Sequence, residues 1–387
     1  MRPVQRRRLL AGGLALAALV AIALAVRGGS NQPPPTAVAH KSTAVAAAGP
    51  AGGTVSSGNV YAHTGVGMFA PATRGVPYLL YVPESAGTGV DVIDPTKMRV
   101  IAHYTTGLDP QHVVPSYDLK TLYSTNDLAN SLTPFNPRTG KPSGPNIPVA
   151  DPYNMYFTPG GAEAVVIEEA RQNVAFYDAH TFAAHKVVHV DCAGVDHADF
   201  TADGRFMMLS CEFSHRLARI DLATHTVTGY LSIPGSSPQD VRISADGKVF
   251  YVADRYLGGV HLIDAKTFRP VGFLRTGKDA HGLYPSRDGT RLFVSNRGSG
   301  SISVIDFATR RVVATWPLPG GGSPDMGGLS PDGKVIWLAG RYNATVYKIS
   351  TVDGRLLGQV PVPLKPHGMC VWPQPGRFSL GHTGNMR

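Results

Sequence analysis

The strongest constraint on this chain is a pattern that returns every 42–44 residues. Residues 238–255 read PQDVRISADGKVFYVADR, residues 280–297 AHGLYPSRDGTRLFVSNR, and residues 324–341 PDMGGLSPDGKVIWLAGR. Each has a short apolar strand, a Ser-x-Asp-Gly turn and a second strand of bulky, β-branched residues. Asp-Gly suits a tight hairpin because glycine accepts positive φ and aspartate bonds nearby amides. The Ser or Thr before the turn falls at Ser116, Thr158, Thr201, Ser244, Ser286 and Ser330, with Trp372 in the seventh place. A second column closes the third strand at Asp94, Asn136, Asp178, Asp221, Asp264, Asp306 and Ser350. Two columns sharing one period define a repeat architecture.

The two ends of the pattern are out of phase in a telling way. Residues 79–106 carry the later strands of a unit without its first strand, and residues 366–372 (PHGMCVW) supply a first strand with no unit after it. A ring of four-stranded units closes by pairing such ends in one sheet, which leaves no open edge there. An open stack of the same units would need polar caps, and none is visible. The prediction is an all-β, seven-bladed β-propeller over residues 59–387, its last blade closed by N- and C-terminal strands. Abundant Gly (44) and Pro (31), with 16% charged residues, suit many short strands and tight turns.

The Ser-Pro-Asp-Gly-Lys turn, the strand ends Tyr251-Val252-Ala253-Asp254 and Phe293-Val294-Ser295-Asn296, and the following Ser301–Asp306 strand resemble the YVTN-type, YncE-like β-propeller family. The resemblance spans about residues 59–380. It implies the seven-bladed fold; it implies little about activity, because such propellers host many functions, including haem or copper carriage and lactone opening.

Residues 1–27 read as a signal peptide or signal anchor: MRPVQRRR is a basic leader and residues 9–26 are uncharged and apolar. Arg6-Arg7 before Leu9-Leu10 resembles a twin-arginine signal, while ordinary export signals share the same features. Residues 28–58, rich in Ala, Gly, Pro, Ser and Thr, are expected to form a flexible tether. The reading is therefore an exported protein, touching a membrane only through residues 9–26. Lys and Arg exceed Asp and Glu by nine, and five of those arginines lie in the leader. The remaining excess gives no case for nucleic acid. Cys192 and Cys211 flank one hairpin and could bridge its open end, the alternative being two buried thiols; Cys370 has no partner.

The variable positions lie where each first strand begins, around the expected channel mouth. Five places before the anchor stand Gln111, Tyr153, Asp196, Gln239, His281 and Asp325, with His367 in the seventh unit. One place later stand His112, Asn154, His197, Asp240, Gly282, Met326 and Gly368. Histidines thus occur in alternate units. Imidazole suits zinc, copper or nickel, so His112, His197, His281 and His367 with Asp240 and Asp325 form the candidate metal set, for a divalent ion at the mouth. Against this, His112 and His197 are offset by one residue from His281 and His367. Strand alternation predicts that the two pairs face apart, with the polar residues bonding neighbouring blades instead. The ends of the second strands offer another possible cation rim at Glu84, Glu168 and Asp254. His180, His185, His189, His225 and His261 are expected to face solvent. The tail 375–387 is expected to fold over one face, with no role evident for His382.

No CxxCH, HExxH, GxSxG or P-loop occurs. The primary expectation is accordingly a binding or scaffold module rather than an enzyme, acting through its mouth face on a protein or cell-envelope partner. The alternative is a metal- or cofactor-dependent propeller, a hydrolase, lyase or redox-related protein, with its His/Asp site at the mouth and a small molecule as ligand.

Overall fold

The computed structural model describes residues 58–363 and 365–387; the expected signal segment and nearly all of the tether lie outside them. Seven antiparallel sheets follow one another along the chain. Blade one starts with Pro110–Pro115, blade two with Pro152–Phe157, blade three with Val195–Phe200, blade four with Pro238–Ile243, blade five with Ala280–Pro285 and blade six with Pro324–Leu329. In each, later strands add outward in sequence order. Blade seven is the closure: Cys370–Trp372 is its innermost strand, followed outward by Leu79–Pro83, Gly89–Asp94 and Arg99–Thr105. The junction is antiparallel, with Leu79 opposite Trp372 and Tyr81 opposite Cys370. The seven-bladed ring and its mode of closure are as the repeat predicts.

The repeat columns have simple causes. At the turn, the Ser244 hydroxyl accepts from the Val249 amide at 3.0 Å, while the Asp246 carboxylate accepts from Lys248 N at 3.0 Å. Gly247 follows at φ +70°, a region costly to side chains. Asp94 closes the third strand because its Oδ1 accepts from the Thr96 and Lys97 amides at 2.9 and 3.0 Å. Innermost strands such as Pro238–Ile243 are buried although they carry polar residues, and second strands such as Val249–Asp254 are buried and mostly apolar, whereas outer strands such as Arg99–Thr105 alternate. In blade one the outer strand is split into Lys141–Pro142 and Ile147–Pro148, both pairing Ser131–Asn136. Prolines lacking an N–H cannot sustain that ladder. Cys192 and Cys211 are joined by a disulfide, and Cys370 is a buried free thiol.

The tail does more than cover a face. Residues 379–386 form a small hairpin (Ser379 opposite Met386, Leu380 N donating to Asn385 O at 2.8 Å) lodged in the end of the channel where the Ser-x-Asp-Gly turns lie. His382 N donates to Met155 O at 2.8 Å, fixing the tip against blade two. A Cβ on Gly381 would lie 2.4 Å from Tyr156 Cα, so only glycine permits this approach.

Asp199 ties the tail to the ring. Its carboxylate accepts from Arg387 Nη2 at 2.8 Å, Asn385 Nδ2 at 2.7 Å, Phe200 N at 2.7 Å and, from blade four, Ile243 N at 2.9 Å. Asp199 is fully buried. Replacing it with alanine would strand a buried guanidinium, two backbone N–H groups and the Asn385 side-chain amide, and is expected to lower unfolding free energy by about 3–5 kcal/mol. A denaturant midpoint within error of wild type would disprove this role.

Candidate metal centre

The channel histidines come together. The first strands slip register against the second between Pro110 and His112, Val195 and Ala198, and Ala280 and Leu283. Such bulges re-aim side chains. This corrects the expectation that the two pairs face apart. Ring centroids are 4.9 Å apart for His112 and His367, 5.8 Å for His367 and His281, 5.6 Å for His281 and His197, and 5.5 Å for His197 and His112. His382 joins them from the tail, 5.2 Å from His197 and 5.5 Å from His112. One ring nitrogen from each of His112, His197 and His382 lies within 4.8 Å of the others, and so do donor atoms of His281, Asp325 and His367. All five imidazoles are at most 2% exposed.

Each Nδ1 has a partner. His112 Nδ1 meets Tyr153 O at 2.9 Å, His367 Nδ1 meets Gln111 Oε1 at 3.0 Å, and His281 Nδ1 lies 3.0 Å from Met326 Sδ and 3.3 Å from Asp325 Oδ1. His197 Nδ1 meets Asn154 Nδ2 at 3.2 Å and His382 Nδ1 meets Arg242 Nη2 at 3.2 Å. The Nε2 atoms of His112, His197, His367 and His382 are buried without a hydrogen-bond partner. On the mouth side, the Tyr153 ring stands edge-on to His112 and His197 at 5.2 and 5.9 Å.

Burial keeps these imidazoles neutral. It depresses His112 to about 3, with Arg341 adding to the effect, and holds His197, His281, His367 and His382 well below the ordinary range. Burial likewise raises Asp325, against the pull of Arg297 and Arg341. Neutral imidazole is the ligating form.

The other candidates fall differently. Asp325 is fully buried, receives Arg297 Nη1 at 3.1 Å and keeps an unpartnered Oδ2, 3.8 Å from His367 Nε2. Asp240 approaches His382 Nε2 at 3.6 Å, yet its oxygens already accept from Val241 N at 2.8 Å and, in blade five, Leu283 N at 2.9 Å. It links blades. The acidic rim does not assemble: Asp254 caps its own turn and meets His261 at 2.8 Å, Glu168 accepts from Asn173, and Glu84 stays beside Asp91 and His103. His261, expected in solvent, is buried by that pairing and by Phe273 at 4.7 Å. His382 is the residue that sequence reasoning missed. The glycines on either side of His382-Thr383 signalled a tight turn, but nothing local tells where a turn in a tail will dock.

A closed propeller with imidazoles from alternate blades meeting at its axis defines the class. The chain belongs to the YncE-like β-propeller family, whose model matches residues 41–375. Comparison with curated protein sequences gave no match. Among solved structures, the periplasmic gluconolactonase PpgL of Pseudomonas aeruginosa is similar at 19% identity and TM-score 0.63, over 77% of this chain and 99% of that one. Hydrazine synthase of Kuenenia stuttgartiensis is similar at 18% identity and TM-score 0.62, over 78% and 99%. A functionally unknown protein of Desulfotomaculum acetoxidans is similar at 13% identity and TM-score 0.65, over 76% and 98%. These likenesses concern the fold.

Proposed function

We propose that this chain is an exported, metal-dependent propeller protein: the channel imidazoles hold a transition-metal ion of the zinc, copper and nickel group, and a small molecule reaches it from the mouth. One observation carries this reading. Four neutral, buried imidazoles converge with their Nε2 atoms unpartnered, although an unsatisfied buried polar atom costs about 1–3 kcal/mol. An ion held there compensates the Nε2 atoms it reaches, and the acceptors at Nδ1 of His112 and His367 supply the outer contacts that orient ligating histidines. Export is supported by the basic-apolar leader and by the disulfide. The similar structures include proteins named for small-molecule chemistry, which is compatible with a reactive centre on this fold.

The full chain, loaded with copper or zinc and desalted, is expected to retain about one equivalent of metal. The His112→Ala/His367→Ala double variant, with an unchanged circular dichroism spectrum, is expected to retain less than about a tenth of that. A folded wild type that binds none of these ions overturns the reading. In that case the scaffold reading takes its place, favoured by the large apolar side chains at the tips of the second hairpins: Leu128, Phe213, Tyr256 and Tyr342 are 57–61% exposed.

A further inference from the structure

A second group of ligating side chains lies away from the channel, at the outer seam between blades two and three. Glu163 opens the second strand of blade two (Glu163–Glu168) and His185 stands on its outer strand (Ala184–His189). His225 is the last residue of the turn before the outer strand of blade three (Thr226–Ser232). In the repeat, Glu163 stands 15 residues before and His185 seven after Asp178, and His225 stands four after Asp221. The same three positions hold Val249, Val271 and Arg310 at the seam of blades four and five, and Val335, Leu357 and Met98 at that of blades six and seven. The repeat therefore does not require ligating groups here. What the turn does require is a left-handed backbone at the last position: His225 has φ +50°, and Phe182 and Phe268 in the same column have φ +55°. That backbone aims the side chain at the preceding blade. Phe182 meets Tyr123 of blade one at 5.2 Å between ring centroids, and His225 meets Phe176 of blade two at 4.3 Å.

The three side chains converge on one point. His185 Nε2 lies 2.6 Å and His225 Nε2 3.0 Å from Glu163 Oε1, and His225 Nε2 is 3.3 Å from Oε2. One donor atom from each residue lies within 4.8 Å of the others. The side chains of Glu163 and His225 are 17% and 23% exposed, and that of His185 is 43% exposed, so solvent reaches the group from the His185 side. Two imidazoles and a carboxylate with one side open form the three-ligand set of zinc centres that keep a position for an outside group. We propose that this seam is a zinc site, separate from the channel, in which Nε2 of His185 and His225 and the Glu163 carboxylate hold the ion and the fourth position takes water or a single donor atom from solution. Zinc displaces the protons that otherwise join imidazole to carboxylate. Because the ligands come from two blades, the ion also ties those blades together at their outer edge.

Zinc is the probe, titrated calorimetrically into the full-length chain. The measurement is made at equilibrium, because an ion on three partly exposed ligands exchanges and is shed on desalting. Wild type is expected to bind one zinc more than His225→Phe does, and that difference is the same whether or not the channel takes an ion. His225→Phe installs the residue that Phe182 and Phe268 supply at this turn, so the variant is expected to melt as wild type does in the absence of zinc. Glu163→Gln keeps the side-chain size, removes the charge and is expected to weaken the rim zinc by at least about tenfold. Zinc is further expected to raise the melting temperature of wild type more than that of His225→Phe, since a ligand bound only by the folded state stabilises it. Equal zinc stoichiometry and affinity in wild type and both variants would overturn the proposal. So would a zinc-induced rise in melting temperature no larger in wild type than in His225→Phe. Either result leaves the channel reading untouched.

Discussion

A chain shortened to end at residue 365 is expected to lose its cooperative melting transition. The deletion removes Met369, Cys370, Val371 and Trp372, all fully buried, and leaves Leu79–Pro83 as a bare inner edge. Losing a single buried side chain of this size costs about 2–5 kcal/mol, so four together reach on the order of 10 kcal/mol. That equals the whole stability of a typical domain. The tail hairpin and its bonds to Asp199 go as well. Calorimetry of the truncated chain is expected to show no transition, and Trp372→Ala alone a lower one by about 3–5 kcal/mol. A truncated chain melting as wild type does would mean that the ring does not depend on this strand.

Acid is expected to destabilise the metal-stripped protein from about pH 6 downward. The five channel imidazoles stay neutral when folded, His112 down to about 3, and regain an ordinary value of 6.5 when unfolded. Below that value the unfolded chain takes up protons that the folded chain refuses, so stability falls as pH falls. Buried carboxylates oppose this: burial raises Asp196 and Asp325 and pushes Asp240 up to about 6, so the folded chain protonates them before the unfolded one does. Arg341 also faces the cluster, and Arg242 and Arg297, raised by their buried carboxylate neighbours, remain charged throughout. Five imidazoles refuse protons and three carboxylates gain them, so between pH 6 and pH 4 these groups leave the unfolded chain holding more protons than the folded one, and stability falls as pH falls. Urea midpoints measured from pH 7.5 to 4.5 are expected to fall steadily below pH 6. A flat profile would show that the histidines charge within the folded ring.

The ring was legible because its signals are local. Ser244, Asp246 and Gly247 bond within one turn, and Asp94 bonds amides two and three residues ahead. Such interactions leave a column in a periodic sequence. The phase shift between residues 79 and 372 revealed the closure for the same reason. Four of the five clustered histidines were legible as variable positions at one level of the channel. Their convergence was not, since it depends on slips such as that between Ala280 and Leu283, set by strand-to-strand fit. His382 lies beyond the last repeat, and its place is decided by Met155, Arg242 and Gly381 packing together in three dimensions.

The closing segment has one more consequence. His367 and His382 lie on the last stretch of chain to join, while His112, His197 and His281 belong to blades whose own contacts are local. Pairing Cys370 with Tyr81 closes a loop of nearly the whole propeller, a contact that long-range topology makes late in folding. An unclosed chain lacks the innermost strand of blade seven and with it the His112–His367 contact at 4.9 Å. On the proposed metal reading, occupancy is a seal of completion: an ion settles at the axis only after the two ends of the chain have met.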